Sequence, residues 1–277
     1  MMEALLLPFE LPFMRDAMLI GVMVAVPAAL LSCFLVLKGW ALMGDAVSHA
    51  VLPGVVLAYL AGVPLLLGAF VSGLLCAVAT GWIADNSRVK RDTVMGVVFS
   101  GMFGFGLVLF AAVRADVDLT HILYGNMLGV GQEDLIVSGA IAGIVTIVLV
   151  ARWRDLLLHA FDPTQARASG LRTDLLHYGL LAILSLTIVA TLSSVGLILA
   201  IGLLIAPGAT AFLVARSFGW MLAVSVAVAT VSMAVGVWAS FHLDSAPAPT
   251  AILVMTLLFV AAFLWRNLRE RRAQATA

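Results

Sequence analysis

Asp45 and His49 stand four residues apart in segment 40–60, which carries no other acid or base. A four-residue step puts two side chains on one face of a helix. A carboxylate oxygen beside an imidazole nitrogen is half of a divalent-cation site, suited to Mn²⁺, Fe²⁺ or Zn²⁺ and not to a soft ion such as Cu(I). Both groups bind a cation only when unprotonated, so affinity is expected to fall as pH drops into the histidine range. A structural reading competes, with Asp45 as a helix cap or a partner for Lys38 and His49 as a packing residue. Ionisable groups at membrane depth are costly and gather at functional sites.

The elements that must position this pair are membrane helices. Of 277 residues, 63% are hydrophobic and 11% charged, with a mean hydropathy of +1.15, far from soluble composition. Nine apolar segments, roughly 17–37, 40–60, 63–84, 93–113, 133–150, 176–193, 195–215, 220–241 and 249–265, approach the ~20 residues that cross a hydrocarbon core. The expectation is an all-α polytopic membrane protein of eight or nine transmembrane helices, in one domain over residues 1–277. Segments 40–60 and 249–265 are the weakest, and one span could be re-entrant or broken. Pro27, Pro53 and Pro207 each remove a backbone hydrogen bond inside a span. Pro53 lies four residues after His49 and frees the His49 carbonyl.

Nine spans with a cytoplasmic C-terminus place 13 of the 15 lysines and arginines on one side: Lys38, Arg88, Lys90, Arg91, Arg152, Arg154, Arg167, Arg172, Arg216, Arg266, Arg269, Arg271 and Arg272. That bias is the positive-inside rule. Residues 1–13 lack a basic start, so the first apolar segment is expected to remain as a span. In the long polar stretch 152–174, Asp162 reads as an N-cap and Pro163 as a first helical residue, with closure at Gly170. This is a docking element for a cytoplasmic partner or an ordinary interfacial turn. The opposite loop, 114–134, carries Asp116, Asp118, His121, Tyr124, Asn126, Glu133 and Asp134; it could attract cations or face a delivering protein, or simply be solvated. His242 and Asp244 form a weaker second cation contact.

Zero formal charge and no basic tract argue against nucleic acid. Cys33 and Cys76 fall in apolar spans and read as buried thiols. No phosphate-binding G-x-x-x-x-G-K-[ST], H-E-x-x-H, serine elbow or C-x-x-C occurs, so an enzyme is not expected, and ATP-driven transport would need a separate ATPase chain.

The stretches LMGDAVSHAVLPG (42–54), RDTVMGVVFSGMFGFGLVLF (91–110), HILYGNMLGV (121–130), FDPTQARASG (161–170), VGLILAIGLLIAPGATAFLVAR (195–216) and DSAPAPTAILV (244–254) together resemble the permease subunit of bacterial ABC importers for manganese, zinc and iron. The likeness covers roughly residues 12–265 and looks closest to the manganese/iron branch. It implies an ABC permease bundle in the bacterial cytoplasmic (inner) membrane. The implied partners are a second permease subunit, identical or not, two cytoplasmic ATPases and an external solute-binding protein. No permanent cofactor is implied; Mn²⁺, Fe²⁺ or Zn²⁺ is the transported substrate. Asp45 and His49 match the family's metal-passage positions. Asp162, Pro163, Ala166 and Gly170 match the element that couples to the ATPase. Relatives often have an acid where this chain has Arg91, which leaves any cation role for that position open. A proton-coupled secondary metal transporter and an ABC permease for a metal chelate or other small cargo remain as alternatives.

Overall fold

The computed structural model describes residues 7–113 and 127–275. Its helices are α1 (Pro12–Leu37), α2 (Met43–Ala50), α3 (Leu52–Ala61), α4 (Leu65–Asp85), α5 (Arg91–Ala112), α6 (Gln132–Phe161), α7 (Pro163–Ala168), α8 (Thr173–Val195), α9 (Leu197–Val214), α10 (Phe218–Leu243) and α11 (Pro247–Ala275). Among the described residues nine helical stretches are long and apolar enough to cross a membrane, with α2 and α3 counted as one.

The bundle is built around α1, which begins with Pro12 at its first turn and buries almost its whole second half, from Ala28 to Leu35. Helices α6, α8, α9 and α10 pack on it, and α11 lies against α9 and α10. Helices α2 to α5 form a second group, joined to the first through α8 and α9. No water is available in a bilayer core, so polar side chains there bond across helices. Ser225 donates to the Ala29 carbonyl at 2.8 Å, Ser185 to Phe70 at 2.9 Å, and Ser138 pairs with Ser194 at 2.7 Å.

The basic connections gather at one end. Lys38, Arg91 and Arg167 line one cleft there and Arg216, Arg266 and Arg269 another, with Leu37 at the edge of both. Two helices outrun their apolar segments. Helix α6 continues to Phe161, past the expected end near 150, because Leu156 and His159 still bury against the bundle while Arg152 and Asp155 pair at 3.2 Å on the outside. Helix α11 continues past 265 with the Arg266/Glu270 pair at 2.9 Å. Cys33 and Cys76 are buried free thiols.

Candidate metal path

Residues 38–42 turn the chain from α1 into α2, with the Trp40 N–H donating to the Leu35 carbonyl at 2.8 Å. Asp45 sits in the first turn of α2, where the helix dipole favours a carboxylate. His49 follows one turn later, about 9 Å from the helix start at ~1.5 Å per residue. Met43, Val47 and Ser48 are fully buried, and a side chain on Gly44 would press within 2.9 Å of Leu204 on α9. That burial turns the other face of α2 outward. Asp45 and His49 lie on it with 38% and 30% of their side chains exposed.

His49 Nε2 is 3.4 Å from Asp45 Oδ1. Two donors each ~2.1 Å from one ion lie about 3.0 Å apart at a right angle and about 3.4 Å apart at the tetrahedral angle. The spacing of the pair therefore matches that of two donors in one coordination shell. The imidazole is held from α5, edge-on to Phe103 at 5.3 Å and beside Phe99 at 6.0 Å. Those two rings stand four residues apart in 91–110, a spacing that puts both on one face of α5 and is the only mark the sequence gives them. Among the described residues no group of three or more histidines, cysteines and acids assembles, so one chain offers two donors.

Directly beyond the pair the second span is interrupted at Val51. The interruption is mild, since Val51 keeps helical angles (φ −67°, ψ −29°). Its N–H turns to the His49 carbonyl that Pro53 leaves free, and Ser72 of α4 donates to the Ala50 carbonyl at 2.6 Å. The kink is packed by glycines. A Cβ on Gly54 would lie 2.0 Å from the Gly68 carbonyl oxygen, and one on Gly106 2.9 Å from the Pro53 ring. Only glycine permits backbones so close.

Lys38 does not serve Asp45, as the competing reading had it. Its ammonium lies 4.5 Å from the Trp40 ring centre, in a cleft with Asp85 and Arg91. Nor is Asp45 the N-cap of α2; that position is Leu42. Asp116, Asp118, His121, Tyr124 and Asn126 lie outside the described residues. Asp134 accepts the Gly131 N–H at 3.2 Å and so caps α6. His242 folds back on its own helix, Nδ1 3.1 Å from the Trp238 carbonyl, and Asp244 ends that helix in a left-handed turn (φ 48°).

The segment at the basic end folds as its residues foretell. Asp162 Oδ1 accepts the N–H groups of Thr164 and Gln165, both at 2.9 Å, and Pro163 opens α7. At the far end the Gly170 N–H bonds the Arg167 carbonyl and the Leu171 N–H that of Ala166, with Gly170 at φ 81°. This is a Schellman closure. Ala166 is fully buried under α7, while Thr164, Gln165, Arg167 and Ala168 are exposed.

A model of the ABC 3 transport family matches residues 10–266. The chain belongs to that family. It is a multi-pass membrane permease, and both the Asp45/His49 pair and α7 fall inside the matched region. It is 52% identical over 262 residues to the chelated iron transport system membrane protein YfeD of Yersinia pestis, covering 95% of this chain and 88% of that one. It is 44% identical to the manganese transport system membrane protein MntB of Synechocystis, covering 93% and 84%. Its fold is similar to a chain in the structure of PsaBC from Streptococcus pneumoniae in complex with Fab, with a TM-score of 0.84 and 32% identity over 95% of each chain.

Proposed function

We propose that Asp45 and His49 form the chain's share of a divalent-metal path, completed by the same pair from a second permease subunit. The protein is the permease subunit of an ATP-driven importer of transition metal ions (iron, manganese or zinc) and forms the translocation path. The observation that carries the role of the pair is its geometry: two donors 3.4 Å apart, partly exposed, beside a kink. Four donors across a dimer lower the dehydration barrier of the ion without trapping it, as a conducting site must. The face of α5 turned away from His49 is open: Gly101 and Gly104 have no side-chain neighbour there, and Val97, Phe105 and Val108 are exposed.

The donor set and the relatives named for iron and manganese support Fe²⁺ or Mn²⁺ as cargo. Two ATPase chains dock on α7, through the exposed Thr164, Gln165 and Arg167. Asp162, Pro163 and Gly170 shape that element, and buried Ala166 seats it on the bundle. ATP-driven movement of α7 then changes which side the path faces. A solute-binding protein delivers metal at the other end. The basic end faces the cytoplasm, the C-terminus with it, in the bacterial inner membrane.

The test is metal uptake by vesicles holding this chain with its ATPase and binding protein. Asp45→Ala and His49→Ala should each abolish ATP-dependent Mn²⁺ or Fe²⁺ uptake while assembly and ATPase docking survive. Normal uptake by both variants would sink the role of the pair, and ATP-independent uptake would reassign the chain to secondary transport. The word "chelated" in the name of YfeD favours a second reading, a chelate as cargo; uptake of a stable chelate, unaffected by either substitution, would establish it.

A further inference from the structure

At the basic end, the ends of α1, α4 and α6 and the starts of α5, α7 and α8 enclose a cleft of about 580 Å³. Two cations share one indole at its wall: Lys38 Nζ lies 4.5 Å and the Arg91 guanidinium carbon 4.9 Å from the centre of the Trp40 ring. Arg91 is paired with Asp85 at 2.8 Å and Arg167 with Asp174 at 3.5 Å. No ion pair to Lys38 forms among the described residues, although Lys38 is half-buried. Burial, and then the Arg91 charge, lower its ammonium to about 8, against a smaller upward pull from Asp85. The cleft wall also holds His159, which is 5% exposed, with both ring nitrogens buried and without a hydrogen-bond partner. A neutral imidazole carries one N–H, and leaving it unmet is costly. Its ring stands edge-on to that of His177, 6.2 Å away. The cleft thus sets three cations, Lys38, Arg91 and Arg167, against two carboxylates, Asp85 and Asp174, and holds an unmet donor.

The cleft opens beside an exposed apolar surface. Trp82 is 65% exposed and continues the outward stripe of α4 made by Leu67, Val71 and Leu75, while Tyr178 and Leu175 are exposed beside it on α8. Tryptophan and tyrosine at a span end mark the headgroup level. A basic pocket between helices at that level is the form that anionic headgroup sites take.

We propose that this cleft binds the phosphate of an anionic phospholipid. Lys38 and Arg91 receive the phosphate oxygens, and His159 turns its unmet N–H toward one of them. Trp82 and Tyr178 flank the glycerol region, and the acyl chains run down the exposed stripe of α4. The site is separate from the metal path, and its test does not depend on transport.

The full-length permease is exchanged into nanodiscs of phosphatidylcholine with or without phosphatidylglycerol, and retained lipid is counted by native mass spectrometry. Wild type should keep phosphatidylglycerol in preference to phosphatidylcholine, and its melting temperature should rise with it. Lys38→Gln should lower retention about fivefold, and Lys38→Gln with Arg91→Gln about twentyfold. Lys38→Arg, which keeps the charge, should retain the lipid and shows that loss in Lys38→Gln is not misfolding. Equal retention by wild type and the double variant would overturn the site. Displacement of the lipid by millimolar inorganic phosphate would reassign it to a free anion. Loss of the lipid when the ATPase chain is added would reassign the cleft to an acidic protein partner.

Discussion

Of the three spans with a proline at mid-course, α9 and the second span answer it differently. In α9, Pro207 leaves the helix continuous from Leu197 to Val214. Ser32 of α1 reaches in, accepts the Gly208 N–H at 3.0 Å and donates to the Ile205 carbonyl at 3.2 Å. In the second span the helix is interrupted two residues before Pro53. There Ser72 serves only the Ala50 carbonyl, and the flank carrying Asp45 and His49 is partly open. A proline frees backbone groups in both places. The neighbours decide whether the span is repaired into a rigid strut or left as a joint, and the joint is where the ionisable pair sits.

Gly54→Ala strikes that joint hardest, because its Cβ would meet backbone on α4 and not a yielding side chain. Overpacking of this kind should cost about 3 kcal/mol, read as a lower melting temperature of the purified permease; an unchanged melting temperature would mean the α3/α4 contact is looser than described. Ser32→Ala removes both hydrogen bonds that tie α1 to α9 beside Pro207, a loss of about 2 kcal/mol. Ser72→Ala, at the joint, should cost about 1 kcal/mol yet reduce metal uptake more than Ser32→Ala does. If Ser32→Ala is the more damaging to uptake, the contrast between strut and joint is wrong. Asp162→Ala removes the cap of α7 and should cost about 1 kcal/mol, with ATPase activity outlasting transport in the assembled complex.

Lys38 adds a pH dependence. Its ammonium is lowered to about 8 in the folded protein, against 10.5 when unperturbed. The unfolded chain therefore holds this proton longer. The group weighs against folding most at pH below about 8, and its contribution to stability rises as pH climbs toward 10.5. Acylation followed residue by residue with mass spectrometry should show Lys38 half-deprotonated near pH 8; a midpoint above 10 would contradict the cleft geometry.

Much of this was legible in the residues. Hydropathy alone marks nine apolar segments and leaves eight or nine crossings, and a four-residue step suffices to bring Asp45 and His49 together. Asp162, Pro163 and Gly170 specify α7 because each acts on its own backbone. What could not be read depends on neighbours distant in the chain. Lys38 is seven residues from Asp45, yet it turns to Asp85 and Arg91, since the turn at 38–42 points it away from α2. Phe99 and Phe103 reach His49 only because α5 packs on α2. Hydropathy ends α6 near 150, but a helix leaving the bilayer continues wherever one face still finds something to bury against, as Leu156 and His159 do.

The mutual contact of Gly54 and Gly68 has a mechanical consequence. At Gly54 and Gly68, α3 and α4 touch backbone to backbone, with no side chain at that point to slide over, and the turn at Gly62 joins their ends. They must travel as one rigid arm. Any opening of the path is then a rotation about Val51 or a parting of α2 from α5, and a small rotation at that pivot, next to the two ligands, sweeps the far end of the arm through a larger displacement.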